Sequence, residues 1–280
     1  MSRVAVVWAG LGDDDDAEAS HWYENRHIPS AVAEIKCTAR NAEQVGENAF
    51  QEVPQVEGKH MTIYDLPDGQ GEQDLEAQIR PILGDLPREA RLNTRFFREY
   101  ANWYGEDWRG DPRDVQMWIV VLWQPTAAVH DEFVQWFRDE FAPGMLESPE
   151  LLRTRIFKLE HATNIRGQKH EQVEKESLLQ YMTFWEFDSP ELPWEILVYL
   201  GSSERWRHYV EGGYLNWEMG QYLVNKNYPE MESGNPEMKK PRIIVTAEYQ
   251  DQDDRSSQQD SSEDDDVSGE GSDSDPFELR

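Results

Sequence analysis

The sequence predicts an α+β fold built from two βαββαβ units in one chain. Residues 22–29, WYENRHIP, are echoed by residues 136–143, WFRDEFAP, at a constant offset of 114 residues. A second pair of segments, MTIYDL at 61–66 and MTFWEF at 182–187, matches in residue type at all six positions. Two separated motifs in the same order indicate an internal repeat, although the identity between the two copies is low.

The first unit begins with an apolar, β-branched run at 4–9, which is typical of a buried strand. A helix follows over 16–27, with Ala19, Trp22, Tyr23 and His27 on one face, and Pro29 is expected to end it. The rest of the unit is assigned by pattern: strands at 35–45 and 61–66, a weak helix at 75–83, and a strand at 91–103. The predicted order is strand, helix, strand, strand, helix, strand.

The second unit repeats this order after a Gly- and Pro-containing connection. Its expected elements are strands at 117–123, 151–161, 182–187 and 214–223, with helices at 128–141 and 193–210. A polar loop is expected at 162–176, and one more edge strand at 242–250. A single βαββαβ unit leaves one sheet face uncovered, so the two units are expected to close against each other.

These patterns divide the chain into four segments. They are a first repeat at 1–104, a linker at 105–114, a second repeat at 115–250 and an acidic tail at 251–280. The tail holds twelve Asp and Glu residues against two Arg residues, with few large apolar groups. Because it cannot bury enough apolar surface to offset its ordering entropy, we expect it to be disordered.

Composition excludes several classes of partner. The net charge of −29 argues against nucleic acid or an anionic membrane surface. One cysteine, Cys37, rules out an internal disulfide framework, and no segment is apolar enough for a signal peptide or a membrane span. A cytoplasmic protein is therefore expected. The seven histidines show no i, i+4 pair, and the aspartates at 13–16 fit a solvated helix start, so no metal site is expected.

The two motifs together resemble the dimeric α/β-barrel superfamily of ferredoxin-like domains, and within it the EthD-like members. The resemblance covers both repeats, roughly residues 4–228, and leaves the tail out. It implies that two units pair their sheets into one barrel, here as a fused dimer, so a monomer is expected. It also implies a small-molecule ligand between the sheet and the helices of a unit. Members include cofactor-free polyketide cyclases, lactone isomerases, monooxygenases and haem-binding proteins.

The resemblance points to His27 as an acid/base, because catalytic members can have a histidine at the end of the first helix. A neutral imidazole suits proton transfer near neutral pH, and Tyr23 lies one helical turn away. The second repeat has Phe141 at this position, so the first is the expected active half. A half-buried histidine bonded to a backbone carbonyl is the simpler interpretation. Further residues expected to line or fill the ligand space are Trp8, Trp22, His60, Tyr64 and Tyr100.

Two functions remain open from the sequence. One is a cofactor-independent cyclase, isomerase or decarboxylase that acts on an aromatic or polyketide-like molecule. The other is a non-catalytic ligand-binding or interaction barrel whose acidic tail recruits basic partners. No cofactor is expected, although analogy leaves haem open, with His27 or His60 as its ligand. The enzyme hypothesis requires a water-accessible cavity that reaches His27.

Overall fold

The computed structural model describes residues 2–12, 17–46, 53–56, 58–67 and 71–230. Three features considered in the sequence lie outside these residues. They are the aspartates at 13–16, the expected edge strand at 242–250 and the acidic tail at 251–280.

The first half of the fold follows the predicted order of elements. Its strands are β1 (Arg3–Gly10), β2 (Thr38–Gln44), β3 (His60–Leu66) and β4 (Arg91–Tyr104). Its first helix, α1, consists of three consecutive segments, Ala17–Trp22, Tyr23–His27 and Ile28–Ile35. The second helix, α2, is Glu72–Ile79, and a short 3-10 turn at Leu83–Asp85 follows it.

The second half repeats this order and adds a hairpin. Its strands are β5 (Met117–Pro125), β6 (Leu151–Arg166), β7 (Lys169–Gln172), β8 (Tyr181–Phe187) and β9 (Leu215–Tyr228). Helix α3 consists of His130–Trp136, Phe137–Phe141 and Ala142–Met145. Helix α4 is Trp194–Gly201, and α5 consists of Glu204–Trp206 and Arg207–Glu211.

Both halves have the strand order of a ferredoxin-like unit, and together they form one closed barrel. The described strands form a sheet in the order β4-β1-β3-β2-β9-β5-β8-β6-β7, and β4 also pairs with β6. Leaving out β7, this is an antiparallel ring of eight strands. The halves meet along two seams, β2 with β9 and β4 with β6. Closure removes the free edges that an open sheet would present.

Among the residues that the structure describes, the alternation of side chains along the strands produces three apolar cores. One core lies between the sheet and the helices of the first half, and a second lies in the same place in the second half. The third contains residues from all eight ring strands and therefore fills the barrel interior. Along β1, Val4, Val6 and Trp8 face the interior, whereas Ala5 and Val7 face the helices.

The barrel interior also contains a buried ion cluster. Glu186 on β8 is fully buried and forms ion pairs with Arg40 on β2 and with Arg153 and Arg155 on β6. Asp65, which ends the interior face of β3, lies 3.9 Å from Arg155. Because β2 belongs to the first half and β8 to the second, this cluster connects the two halves.

Pro29 does not end the first helix, contrary to the expectation from the sequence. Residues Tyr23–His27 form a π-helical turn in which the Ile28 N–H bonds to the Tyr23 carbonyl, five residues back. This shift in the hydrogen-bond register allows a proline, which has no N–H, to follow without breaking the helix. Helix α3 has the same turn at Phe137–Phe141, followed by Pro143. The shared motif therefore encodes a π turn within a continuing helix.

The expected polar loop at 162–176 is instead a β-hairpin. Strand β6 continues to Arg166, and β7 pairs back onto it after a turn in which Gly167 has a φ of 59°. Polar residues form this hairpin because β7 lies at the outer end of the sheet order, and the extension of β6 pairs with β4 on its other side. Within the described residues, no helix has the length and apolar character needed to cross a membrane.

Candidate functional site

His27 lies on α1 within a group of aromatic rings. Its imidazole stacks on Trp22 at a centroid distance of 5.4 Å and on Tyr23 at 5.5 Å. Burial lowers the pKa of His27 to about 4, although a hydrogen bond to the Ile79 backbone acts in the opposite sense. The ring is therefore neutral near pH 7, half-buried and bonded to the backbone. This environment corresponds to the simpler interpretation of His27.

Tyr23 starts a chain of hydrogen bonds that ends at a carboxylate. Its hydroxyl lies 3.0 Å from Thr62 Oγ1, and Thr62 donates to Asn41 Oδ1 at 2.9 Å. Asn41 Nδ2 in turn donates to Glu24 Oε1 at 3.1 Å. Because Thr62 uses its proton on Asn41, the Tyr23 hydroxyl is the donor in the first bond. Burial raises the pKa of Tyr23 well above its usual value, so this phenol remains protonated.

His60, at the start of β3, lies against the N-terminal part of α1. Its side chain is 1% exposed, its ring centroid is 6.0 Å from that of Tyr23, and its Nε2 is 3.2 Å from Ser20 Oγ. Tyr23 therefore contacts both imidazoles, that of His27 and that of His60. His60 Nδ1 faces the carboxylates of Glu24 and Glu43, at 3.9 and 3.8 Å.

The other residues expected to line the ligand space are distributed over several regions. Trp8 lies in the barrel interior, on the opposite face of the sheet from His27. Trp22 is partly buried and lines an open surface cleft with Arg26 and Asp85. Tyr64 is fully buried in the first sheet–helix core. The structure therefore brings Trp22, Tyr64 and His60 near Tyr23 but places Trp8 elsewhere.

Tyr100 is also far from the other candidates, because it contacts the second half. It is 44% exposed, and its ring is 6.3 Å from that of Tyr181 on β8, in an edge-on arrangement. The Tyr181 hydroxyl lies 2.9 Å from His130 Nε2. Strand β4 extends along β6, and this pairing carries Tyr100 across the seam between the halves.

The second half contains a cavity of about 100 Å³ between its sheet and its helices. The sheet contributes Ile119, Val121, Trp123, Trp185, Trp217 and Met219, and the helices contribute Phe141, Met145, Leu197, Leu200, Gly201 and Trp206. These side chains are apolar or aromatic, and four of them are tryptophans. His27 lines neither this cavity nor the surface clefts at Trp22 and at Cys37.

From the sequence, two members of this lining were recognised only as counterparts of residues in the first repeat. Phe141 and Trp185 stand where the first half has His27 and Tyr64. The lining residues on α4 and α5 belong to a helical region in which the sequence shows no motif. The many aromatic residues of this region could have indicated a binding site. Glu24 and Glu43 were also missed, because single acidic residues on a helix and a strand resemble ordinary solvent-facing positions.

The residues that carry potential iron ligands do not fit a haem group. His27 is covered by Trp22 and Tyr23, and His60 is buried against Ser20. Among the described residues, neither imidazole lines the apolar cavity or the clefts at Trp22 and Cys37. The apolar cavity is also far smaller than the several hundred Å³ of a typical cofactor pocket. We therefore derive no chemistry through haem.

Comparisons with known proteins concern the fold. No protein-family model matches the sequence, and no curated protein sequence matches it. Among solved structures, an anthrone oxidase-like protein has a TM-score of 0.51 at 11% identity, with 84% of this chain and 97% of that chain covered. A proposed monooxygenase from Lactobacillus acidophilus has a TM-score of 0.45 at 8% identity, with 81% and 96% covered.

A haem-degrading enzyme from Listeria monocytogenes has a TM-score of 0.37 at 8% identity, with 79% of this chain and 99% of that chain covered. Of these three structures, only the anthrone oxidase-like protein has a TM-score above 0.5. Because its sequence identity is low, this similarity supports a conclusion about the fold alone. The chain is therefore similar to ferredoxin-like α/β-barrel proteins in fold.

Proposed function

We propose that the protein binds a small, uncharged, aromatic molecule in the cavity of the second half. The observation that carries this proposal is an apolar cavity of about 100 Å³ whose lining includes four tryptophans. An engineered apolar cavity of about 150 Å³ in another protein stays dry and binds benzene or xenon. The present cavity is about one third smaller than that one, so its lining must move to admit a single ring.

Helix α4 is the element most able to make this movement. None of its residues is fully buried, while Trp194, Val198 and Tyr199 on its outer side are exposed. Its inner side contributes Leu197 and Leu200 to the cavity. Elements with few buried contacts open at the lowest free-energy cost. Displacement of α4 would therefore both admit the ligand and enlarge the cavity.

Catalysis by His27 has less support from the geometry. With a pKa of about 4, the imidazole is unprotonated near pH 7 and is a poor general acid. Trp22 and Tyr23 also cover it, so a substrate would have to displace one of these rings. A cyclase, isomerase or decarboxylase that uses His27 and Tyr23 remains a prediction. If the protein is such an enzyme, His27→Ala should abolish turnover with little loss of stability.

The interaction-barrel alternative depends on the acidic tail recruiting basic partners. The tail lies outside the described residues, and the apolar cavity does not require it. We therefore prefer ligand binding in the second half to the interaction-barrel alternative.

Substituting one cavity residue tests this proposal. Val121 lines the cavity and is 5% exposed, so Val121→Phe should fill the space with a phenyl ring. Val198→Phe makes the same change at a position that is 65% exposed and serves as the matched control. Binding of benzene and indole would be measured by calorimetry and by the rise in melting temperature. A ligand at 100 times its Kd stabilises the folded state by about 2.7 kcal/mol.

We expect the wild-type protein and Val198→Phe to bind both probes saturably and Val121→Phe to bind neither. Circular dichroism would establish that each variant is folded. If Val121→Phe does not fold, Ile119→Phe provides a second variant with a filled cavity. Equal binding by the filled and control variants would contradict the proposal, as would the absence of binding to the wild-type protein.

A further inference from the structure

Three potential metal ligands from three different elements converge in the first half. They are Glu24 on α1, Glu43 on β2 and His60 on β3, and one ligand atom from each lies within 4.8 Å of the others. Helix α1 crosses the sheet over the neighbouring strands β2 and β3, which brings the side chains together. This cluster is separate from the apolar cavity of the second half.

His60 supplies a second, independent observation. Its side chain is 1% exposed, and its Nδ1 has no hydrogen-bond partner among the described residues. The atoms that this nitrogen faces, Glu24 Oε1 at 3.9 Å and Glu43 Oε1 at 3.8 Å, are too distant for hydrogen bonds. A buried nitrogen is rarely left unsatisfied in a folded protein. An ion between the three groups would satisfy it.

We propose that Glu24, Glu43 and His60 bind one divalent transition-metal ion, of the Zn²⁺ or Mn²⁺ type, with water completing the coordination. Bonds of about 2.1 Å in a tetrahedral site separate neighbouring ligand atoms by about 3.4 Å. The two distances from His60 Nδ1, 3.9 and 3.8 Å, therefore need to shorten by roughly half an ångström. Glu43 is 47% exposed and is free to make this adjustment by rotating its side chain.

Neighbouring side chains hold the ligands in place. Ser20 Oγ lies 3.2 Å from His60 Nε2, which leaves Nδ1 directed at the carboxylates. Glu24 Oε1 accepts hydrogen bonds from Asn41 at 3.1 Å and from Asn225 at 3.2 Å. Such outer contacts orient metal ligands and are a regular part of metal sites.

The charges of the cluster also favour a cation. Two carboxylates face one imidazole in the cluster. A neutral imidazole is the form that binds a metal. An imidazole ligand favours a transition metal, because Mg²⁺ and Ca²⁺ take oxygen ligands.

The second half does not contain an equivalent cluster at the corresponding positions. Arg138 stands where the first half has Glu24, and Tyr181 stands where it has His60. The Tyr181 hydroxyl instead lies 2.9 Å from His130, whose Nδ1 is 2.8 Å from Asp131. The proposal therefore requires one specific ion per chain.

Zn²⁺ titration of the full chain tests the proposal after removal of metals with a chelator. Calorimetry would measure affinity and stoichiometry, and Co²⁺ absorption in the visible range would report nitrogen and oxygen ligation. The variants are Glu43→Gln and His60→Asn, with His130→Gln as a matched control that removes another histidine beside a carboxylate. Weak binding by the acidic tail is common to all variants and cancels in the comparison.

We expect one Zn²⁺ per chain in the wild-type protein and in His130→Gln. Glu43→Gln should weaken binding at least about tenfold, and His60→Asn should abolish the specific site. If His60→Asn fails to fold, Glu43→Gln decides the question, because Glu43 is about half exposed and its substitution should leave the fold intact. Equal Zn²⁺ affinity in Glu43→Gln and wild type would overturn the proposal, as would weak multi-site binding alone.

Discussion

The Arg40 guanidinium of the first half lies 2.6 Å from the Glu186 carboxylate of the second half, across the barrel interior. Arg153 and Arg155 contact the same carboxylate from β6. Burial alone would raise the pKa of Glu186, but Arg155, Arg40 and Arg153 outweigh it and hold the pKa far below its usual range. Glu186 is therefore the common partner of three cations, of which Arg40 and Arg155 are buried and Arg153 is partly buried.

Replacing Glu186 with Gln should destabilise the fold strongly. The substitution keeps the shape of the side chain but leaves the three guanidiniums without their anion, at a cost of about 3–5 kcal/mol. Urea unfolding would measure the loss. Glu160→Gln is the control, because Glu160 pairs with Arg3 and Arg98 nearer the surface and should lose at most about 1 kcal/mol. Similar losses in the two variants would show that the buried cluster contributes no more to stability than an ion pair nearer the surface.

The same carboxylate should make stability depend on acid pH. A group whose pKa is lower in the folded state stabilises the protein above its unfolded pKa, and this contribution is lost as the pH falls. The stability difference between wild type and Glu186→Gln should therefore be full at pH 7 and shrink below about pH 4. Urea unfolding at pH 7, 5 and 3 would measure it. A difference that does not change with pH would mean that the pKa of Glu186 is not lowered.

His27 should contribute a second pH dependence at higher pH. Its pKa falls from 6.5 to about 4 on folding, so the unfolded chain binds more protons between these values. Stability should therefore fall as the pH decreases from about 6.5. His27→Phe, which introduces the residue found at Phe141, should remove this effect. Between pH 7 and 5, wild type should lose roughly 2 kcal/mol more than the variant in urea unfolding. Parallel losses would contradict the burial of the imidazole.

Tyr23→Phe should cost about 1 kcal/mol, because it removes the hydrogen bond to Thr62 while Thr62 keeps its bond to Asn41. Tyr64→Phe is the control. The Tyr64 hydroxyl is buried and has no hydrogen-bond partner among the described residues, so its removal should be neutral or stabilising. Thermal unfolding of both variants would measure the difference. An equal loss of stability in the two variants would mean that the hydrogen bond from Tyr23 to Thr62 does not stabilise the fold.

The sequence was sufficient for the architecture because strand alternation and the two motifs recur in order. The sequence was insufficient where the same pattern of residues is compatible with two local structures. A proline after WYENRHI is compatible with a helix end or with a π turn, and only the hydrogen-bond register distinguishes them. Residues 4–9 are apolar at every position, so their pattern does not reveal that Trp8 faces the barrel interior and Val7 the helices.

The candidate sites were only partly predictable for a related reason. The contact between Tyr23 and His27 follows from their i, i+4 spacing on one helix. The approach of His60 to Glu24 depends instead on how α1 crosses the sheet, which no local spacing contains. The apolar cavity depends on how α4 and α5 pack against β5, and core aromatics have the same sequence pattern whether or not they enclose a space.

The pairing of β2 with β9 and of β4 with β6 has a consequence for assembly. Hydrogen bonds along these two seams close the ring, and the segment between Tyr104 and Met117 tethers the halves, with Val115 buried in the barrel interior and Trp108 packed against it. The first half of one polypeptide would meet the second half of another through identical contacts. Reciprocal exchange would thus yield an intertwined dimer with two complete rings. The shortness of the tether, rather than any additional surface, would then determine whether a chain closes on itself.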